Sequence, residues 1–460
     1  MRKMLVSLEE LREKEGDVLS MEEVAILTDD ARREAEEANY ELTEAERIIE
    51  VSDALEDLAL IADGIEEATP AEVALIENAG SLIVAGTDVS PEEVIPSLSG
   101  GINEETGIAT ESFIGKKIST EGIREIANTL WDNIKKFLKG IWEKIESFLY
   151  KIIATIPRQR KEIQKLKEKI YDVEKSGAVQ SKEKLTLTSG VNALCINDSP
   201  AASEAALKNG LNEIITVNKF VFGKYVDSVV KIGEVISEEI KQFKPKYGAA
   251  NSGPVCAEQL NKALNRLSIA DDGIFVRTDT RIVPGFKTKL SKPLLGNKSL
   301  VAKIYEGGDG HTEVLASLDR HRNTRVVVMR TPGTSMAHSK MEISPIAASG
   351  MINLLDDCLS ILKSLEDYKT GPKVKMLLAE KRRIETASET ATSEMKSVEA
   401  GNGKASDMPY YRSLLNYNTA YARWSKDPMV DVINHSIASV KAISFVVSKS
   451  LAAYGVVDKK

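Results

Sequence analysis

The stretch "GIFVRTDTRIV", residues 273–283, marks a change in the hydrophobic period of this chain of 460 residues. With "SLVAKIYEG" (299–307) and "TRVVVMRT" (324–331) it forms a series of short β-branched runs separated by Gly, Pro and Asn. Such runs, bounded by turn residues, are typical of β-strands. We therefore predict one small antiparallel β region within about 272–345, with a hairpin turn at "YEGGDGHTEV" (305–314).

On both sides of this region the pattern is helical, because apolar residues recur three and four positions apart among charged ones. A final pair of helices is expected over 410–456. The fold class predicted from these patterns is α+β and predominantly helical. The other predicted helices cover 8–64, 70–86, 158–175, 201–245, 252–268 and 346–400.

A long amphipathic segment, "IREIANTLWDNIKKFLKGIWEKIESFLYKIIATIP" (123–157), places apolar residues on one broad stripe and lysines on the other face. A basic amphipathic helix of this kind can lie on a membrane. It can equally be a core helix of a bundle, which is the interpretation we favour, so no membrane partner is expected. Pro157 is predicted to end or kink this helix.

Charge is distributed unevenly along the chain. Residues 1–111 contain 30 Asp and Glu against 7 Lys and Arg, a net charge of −23. Residues 112–460 contain 39 acidic and 54 basic residues, a net charge of +15, and the whole chain carries −8. The β region over 277–340 is itself basic, with 12 Lys and Arg against 5 Asp and Glu. Such asymmetry suggests an acidic segment attached to a body that faces a polyanion.

Prolines and glycines punctuate "DVSPEEVIPSLSGGINEETG" (88–107), which predicts an exposed linker. The predicted organisation has four parts: an acidic helical leader over 1–111, a basic helical region over 112–271, the small β region over 272–345 and a C-terminal helical region over 346–460. Preferred proteolysis is expected between 88 and 122.

Motifs for catalysis are incomplete. "GNGKAS" (401–406) lacks the first Gly and the Ser or Thr of a P-loop. "GTSMAH" (333–338) resembles the nucleophile segment of subtilisin-like proteases, with Asp279 and His311 preceding Ser335. His311 lies only 24 positions before Ser335, too close for that family, so a serine hydrolase at Ser335 is a weak alternative. We predict no enzyme, and no catalytic, cofactor-binding or metal site.

The seam "GIATESFIGKKISTEG" (107–122) contains "ATE" and "STE", each a small residue, any residue and Glu. Over about 70–170 the chain resembles the internal head proteins of giant tailed bacteriophages. Prohead proteases of such phages cut after this type of tripeptide. The resemblance implies cleavage between Glu111 and Ser112 or between Glu121 and Gly122. It also implies other virion and prohead proteins as partners, host cytoplasm during assembly and the inside of the capsid afterwards.

Cleavage at this seam would leave a basic body near packaged double-stranded DNA, which it would contact without sequence preference. Base-specific reading is not expected, since the β region lacks the exposed aromatic pairs of sheet-based RNA readers. The alternative function is a helical interaction or membrane-active protein that uses the segment 123–156. Charge density selects the candidate DNA contacts, which are Arg158, Arg160, Lys161, Lys165, Arg277, Arg281, Lys287 and Lys289.

Overall fold

The structure is a computed structural model, and the described residues form most of the chain beyond 154. The described ranges are 154–178, 183–188, 190–242, 252–266, 273–279, 286–305, 314–334, 338–397 and 408–454, with residue 180. N-terminal to these, 70–85 and the single positions 47, 51, 54, 55, 58, 61, 62, 130, 143, 146 and 147 are described. Of the described residues, 72% are helical and 13% lie in small antiparallel sheets. The predicted fold class, helical α+β, is confirmed.

Helices account for most of the fold. Helix α1 spans Pro70–Val84 in the acidic leader, and α2 spans Ile156–Ser176 with Pro157 in its first turn, where a missing N–H costs nothing. A π-helical turn over Val221–Tyr225 joins the helix that ends at Phe220 to the helix that begins at Val226. The remaining helices are α3 (Glu204–Phe220), α4 (Val226–Gln242), α5 (Ser252–Arg266), α6 (Val314–Arg322), α7 (Ala348–Thr370), α8 (Pro372–Ser397), α9 (Met408–Leu415), α10 (Tyr417–Lys426) and α11 (Met429–Ala452).

The main sheet has four strands in the order β4-β5-β6-β7, every neighbouring pair antiparallel, and it lies within the predicted β region. Two separate two-stranded antiparallel sheets pair β1 with β8 and β2 with β3. The strands are β1 (Leu185–Leu187), β2 (Cys195–Ile196), β3 (Ser199–Pro200), β4 (Phe275–Asp279), β5 (Phe286–Ser291), β6 (Lys298–Tyr305), β7 (Arg325–Arg330) and β8 (Met341–Ile343).

Three local predictions need correction. The connection from β6 to β7 is not a tight hairpin, because it contains α6, whose Leu318 is buried in the core. The C-terminal region over 408–454 has three helices instead of a pair. β8 pairs with β1, which lies more than 150 positions earlier in the chain, and such long-range pairing leaves no local signal in the sequence.

One hydrophobic cluster extends from Ile156 to Tyr454 and includes residues of every helix from α2 to α11. At its centre α7 packs against α2, α3 and α11, while α8 packs along α4. The sheet contributes Leu300, Ala302 and Val326 from one of its faces. The three predicted regions after residue 111 therefore share one core, and their boundaries as separate domains stay a prediction.

The described positions of the acidic leader are helical and have buried apolar residues of their own. Leu55 and Ala62 are fully buried, and Ile76 and Val84 on α1 are nearly so. The Arg47 side chain donates a hydrogen bond to the Ala85 carbonyl at 3.5 Å. None of the buried leader residues belongs to the cluster between Ile156 and Tyr454. The described part of the leader thus adds no residue to this cluster, and the same is true of the fully buried Leu130 beyond the seam.

Candidate nucleic-acid interface

Four of the predicted DNA contacts lie on α2, which the sequence folds as an amphipathic helix. Its Ile156, Ile163 and Ile170 are buried against the core, so the charged positions take the other faces. Arg160 donates to Glu366 Oε2 on α7 at 2.7 Å, and Lys167 donates to Asp356 Oδ1 at 2.6 Å. Part of the positive charge of α2 is therefore matched by carboxylates of α7, in an antiparallel arrangement of the two helices.

The Glu162 carboxylate on α2 offsets further positive charge of this helix. Burial raises the pKa of the Glu162 carboxyl, and the nearby Arg158, Lys441 and Lys165 oppose that rise. Arg158 and Lys165 are half-buried and share this carboxylate, whereas Lys161 is exposed. Among the predicted α2 contacts, Lys161 is the one whose exposure best suits an external phosphate.

The register of β5 places two further candidates on the core-facing side of the sheet. Lys287 is paired with Ile304 and Lys289 with Ala302 on β6. Ala302 is part of the hydrophobic core and Ile304 packs against it. Because paired residues share a face of a sheet, Lys287 and Lys289 lie on the same side as the core. Both are half-buried.

Arg277 lies on the opposite face, which we call the outer face. The row that crosses the sheet at this position contains Arg277 on β4, Leu290 on β5, Val301 on β6 and Val327 on β7. The next row on this face contains Asp279, Thr288, Lys303 and Arg325. Arg277 and Arg325 are exposed, and Lys303 is half-buried. The outer face therefore carries three cations and one carboxylate along its two central rows, and Thr288, Leu290 and Val301 between them are buried.

Two aromatic rings hold cations at the edge of the outer face. Phe286 and Tyr305 meet edge to face with ring centroids 6.0 Å apart. Lys303 Nζ lies 4.4 Å from the centre of the Phe286 ring, and the Arg320 guanidinium of α6 lies 5.5 Å from that of Tyr305. Cation–π contacts of this kind fix the direction of a long basic side chain while leaving its charge unneutralised.

The electrostatics of the outer face reflect this crowding of positive charge. Burial lowers the pKa of the Lys303 ammonium, and the neighbouring Arg325 guanidinium lowers it further. Arg325 also favours the charged form of the buried Asp427 carboxyl, whose pKa burial raises. An anion approaching Lys303 and Arg325 would relieve their mutual repulsion, which is what a phosphate-binding surface requires.

Several predicted site residues lie outside the described residues. These are Arg281 among the DNA-contact candidates, the cleavage positions Glu111, Ser112, Glu121 and Gly122, and two members of the hydrolase alternative, His311 and Ser335. Asp279, the third member, is the last residue of β4 and is exposed.

No group of three metal-ligating side chains occurs within the described residues. Cys195, Cys256 and Cys358 are buried free thiols, and burial raises the pKa of each. By length and composition the stretch Pro409–Ala452 is apolar enough to cross a membrane, yet 61% of its most apolar window is buried inside the protein. That degree of burial is expected of core helices.

The sequence of the chain matches one known protein family over most of its length. The model of the phiKZ-like phage internal head proteins matches residues 22–449. The chain belongs to this family. As a phiKZ-like internal head protein it is a structural component located inside the phage capsid. Comparisons with curated proteins and with solved structures give no match.

The family match confirms the resemblance drawn from about 70–170 and extends it over almost the whole chain. Within this internal head protein the sequence-based list of contacts omitted Lys303, Arg320 and Arg325. The runs "SLVAKIY" (299–305) and "RVVVMR" (325–330) have consecutive apolar residues at their centres, so the sequence does not show which side of each strand is polar. The pairing register that brings Lys303 opposite Arg325 cannot be read from either run alone.

Proposed function

We propose that this internal head protein is made as a precursor whose acidic leader is removed during head maturation, leaving a basic body that contacts packaged DNA. A prohead protease would cut after Glu111 or Glu121. The body would then act as a structural, non-catalytic protein that binds double-stranded DNA without sequence preference. During assembly the precursor would associate with other prohead proteins in the host cytoplasm.

The observation that carries this proposal is the charge division at residue 111. The leader carries −23 and the remainder +15, so removal of the leader changes the net charge from −8 to +15. A net negative chain is repelled by DNA over distances of about 10 Å at 0.1 M salt. A net positive body gains free energy when bound cations are released from the phosphates that it neutralises.

The separation of the cores supports leader removal. No described residue of the leader belongs to the cluster that extends from Ile156 to Tyr454, although the leader has buried residues such as Leu55 and Ala62. Cleavage at the seam would therefore remove no residue of this cluster. We expect the body to stay folded when the leader is lost.

The distribution of cations supports binding without sequence preference. Long basic side chains on the outer face and at Lys161 reach phosphates, which carry no sequence information. Tyr305 is only 5% exposed, so its ring is not available for stacking on a base. Inside a capsid, where phosphate is highly concentrated, weak contacts of this kind suffice.

The proposal is tested by the N-terminal residue of the protein recovered from mature heads. We expect a peptide that begins at Ser112 or Gly122 and no stoichiometric peptides from 1–111. Glu111→Gln and Glu121→Gln, singly and together, identify the site that is used, and the double variant is expected to stay uncut. Glu104→Gln in the same linker is the matched control, since Ile102 there breaks the tripeptide pattern. Recovery of the full leader from mature heads would contradict the proposal.

A further inference from the structure

We propose that the outer face of the four-stranded sheet, marked by Arg277, Lys303, Arg320 and Arg325, is the surface through which the processed protein contacts the backbone of duplex DNA. This inference rests on the proposed function and names the surface that performs it.

Two cations of the outer face oppose each other on neighbouring strands. Lys303 and Arg325 are directly opposed on β6 and β7. Like charges at opposed positions of a sheet destabilise the fold. A bound anion would offset the repulsion between the two cations, so this pair favours anion binding. Arg277, one row away on β4, extends the same positive surface to the opposite edge strand.

These cations form no ion pair within the part of the chain that the structure describes, although Arg325 favours the charged form of the buried Asp427 carboxyl. Among the described residues, no carboxylate lies within ion-pair distance of Arg277, Lys303 or Arg325. Cations elsewhere on the body are matched, as in Arg160 with Glu366 and Lys292 with Glu213. Asp279 is the acidic residue on the two central rows of the outer face, so the surface keeps a net positive charge.

The width of the sheet is comparable to the width of one groove of duplex DNA. Arg277 and Arg325 lie on the two edge strands, β4 and β7, which are separated by three strand spacings. At about 4.8 Å per spacing the two strands are roughly 14 Å apart, and the offset of one row, about 7 Å along the strands, brings the two residues to roughly 16 Å from each other. The major groove of B-DNA is about 12 Å wide, so long cationic side chains at the two edges reach phosphates on both sides of one groove.

The aromatic residues favour a duplex over a single strand. Single-stranded binding surfaces stack bases on exposed rings. Here Lys303 lies over Phe286, Arg320 lies over Tyr305, and Tyr305 is buried. The rings orient the cations, and one face of each ring is already occupied. Backbone contact with a duplex is therefore the partner that this surface fits.

The experiment uses the full chain with a recognition site for a sequence-specific protease inserted between Glu111 and Ser112. The folded chain is cut, the leader is removed, and binding to a fluorescent duplex of random sequence is measured by anisotropy at several salt concentrations. The test variant is Arg277→Gln/Lys303→Gln/Arg325→Gln. The matched control, Lys363→Gln/Lys375→Gln/Arg382→Gln, removes three exposed cations from α7 and α8.

If each of the three outer-face cations neutralises one phosphate, the slope of log K against log salt falls in magnitude by about 2.7 in the test variant. The control is expected to keep the parental slope to within about 1. Equal loss in the two variants, or no loss in the test variant, would overturn the assignment of the surface. Should the triple variant lose its cooperative unfolding transition, Arg277→Gln/Arg325→Gln leaves Lys303 on Phe286, and its slope is expected to fall by about 1.8.

Two further outcomes separate this inference from the function on which it rests. If the parental cut chain does not bind the duplex at any salt concentration, the proposed function fails, and the surface assignment fails with it. If the parental chain binds and prefers a single strand of the same sequence, DNA contact stands but the assignment to a duplex backbone is wrong.

Discussion

Lys303 on β6 and Arg325 on β7 are opposed partners in the four-stranded sheet, and burial together with Arg325 lowers the pKa of the Lys303 ammonium. The rest of the fold holds this unfavourable pair in place. Lys303 Nζ packs over Phe286, and β7 is fixed to the helical body by a hydrogen bond of 3.1 Å from the Val328 N–H to Asp431 Oδ2 on α11. The sheet thus presents positive charge from a rigid support, as surfaces that bind polyanions do.

The Tyr225 hydroxyl ties the π-helical turn to the end of α10, so its removal should destabilise the body. It lies 2.9 Å from the Trp424 carbonyl and 2.8 Å from the Asp427 carbonyl, and Tyr225 is fully buried. Tyr225→Phe is expected to lower the free energy of unfolding in urea by about 1–3 kcal/mol, because buried polar groups lose their partner. Tyr171→Phe, at a side chain that is 41% exposed, is the control and should change it by less than about 0.5 kcal/mol. Equal effects would contradict this role.

Gly210 on α3 allows Leu295, in the turn before β6, to approach the helix. A Cβ at Gly210 would lie 2.7 Å from Leu295 Cγ, whereas a Cβ at Gly223 would meet nothing within 4 Å. Overpacking costs about 1–3 kcal/mol, so Gly210→Ala should be less stable than Gly223→Ala by roughly that amount. The melting temperatures of the two variants measure the difference. A Gly210→Ala protein as stable as the control would show that this contact between helix and sheet is loose.

The buried His435 is expected to make the protein less stable at acidic pH. Burial lowers the pKa of its imidazole to about 3, and Lys298 contributes to the lowering. The unfolded chain takes up a proton near pH 6.5 that the folded chain refuses, so stability falls as the pH drops below that value. The loss between pH 7 and pH 5 is about 2 kcal/mol for this residue. In His435→Gln the change in unfolding free energy between these pH values should shrink by that amount, and an unchanged pH dependence would contradict the assignment.

The helical character of the body and the place of the main sheet could be predicted, because both depend on local periodicity. The change of period near residue 273 corresponds to β4, and Pro157 corresponds to the start of α2. Helix α6 was missed, since it is nine residues long and follows a glycine-rich run that resembles a turn. The pairing of Leu185 with Ile343 was missed because it depends on the packing of the whole chain.

The candidate interface could be predicted only in part, for the same reason. Charge density correctly indicates that the region around β4 to β7 is basic, but it does not distinguish the two faces of a sheet. Lys289 and Arg277 are equivalent in the sequence, yet register places Lys289 opposite Ala302 of the hydrophobic core and Arg277 on the other face, opposite Leu290. Likewise, the pairing of Arg160 with Glu366 joins residues 206 positions apart.

Limited proteolysis of the full chain tests the predicted boundary. Pro91, Pro96, Gly100 and Gly101 disfavour regular structure, and proteases act where a segment opens without unfolding a core. We expect the first cuts within 88–122 and a resistant fragment that contains the cluster from Ile156 to Tyr454. Mass spectrometry of the early products identifies the cuts. First cleavage inside 123–156 would place the boundary elsewhere.

The central claim, that removal of the leader converts a chain that DNA repels into one that binds it, is tested most directly by titrating a duplex with the same folded protein before and after cutting between Glu111 and Ser112. The net charge changes from −8 to +15 on removal of residues 1–111. If four to six cations each neutralise a phosphate, the cut protein should lose roughly two to three decades of affinity over a fourfold rise in salt, at about −0.9 per contact. The uncut protein should bind much more weakly at every salt concentration. Equal binding before and after the cut, or binding that does not depend on salt, would contradict the claim.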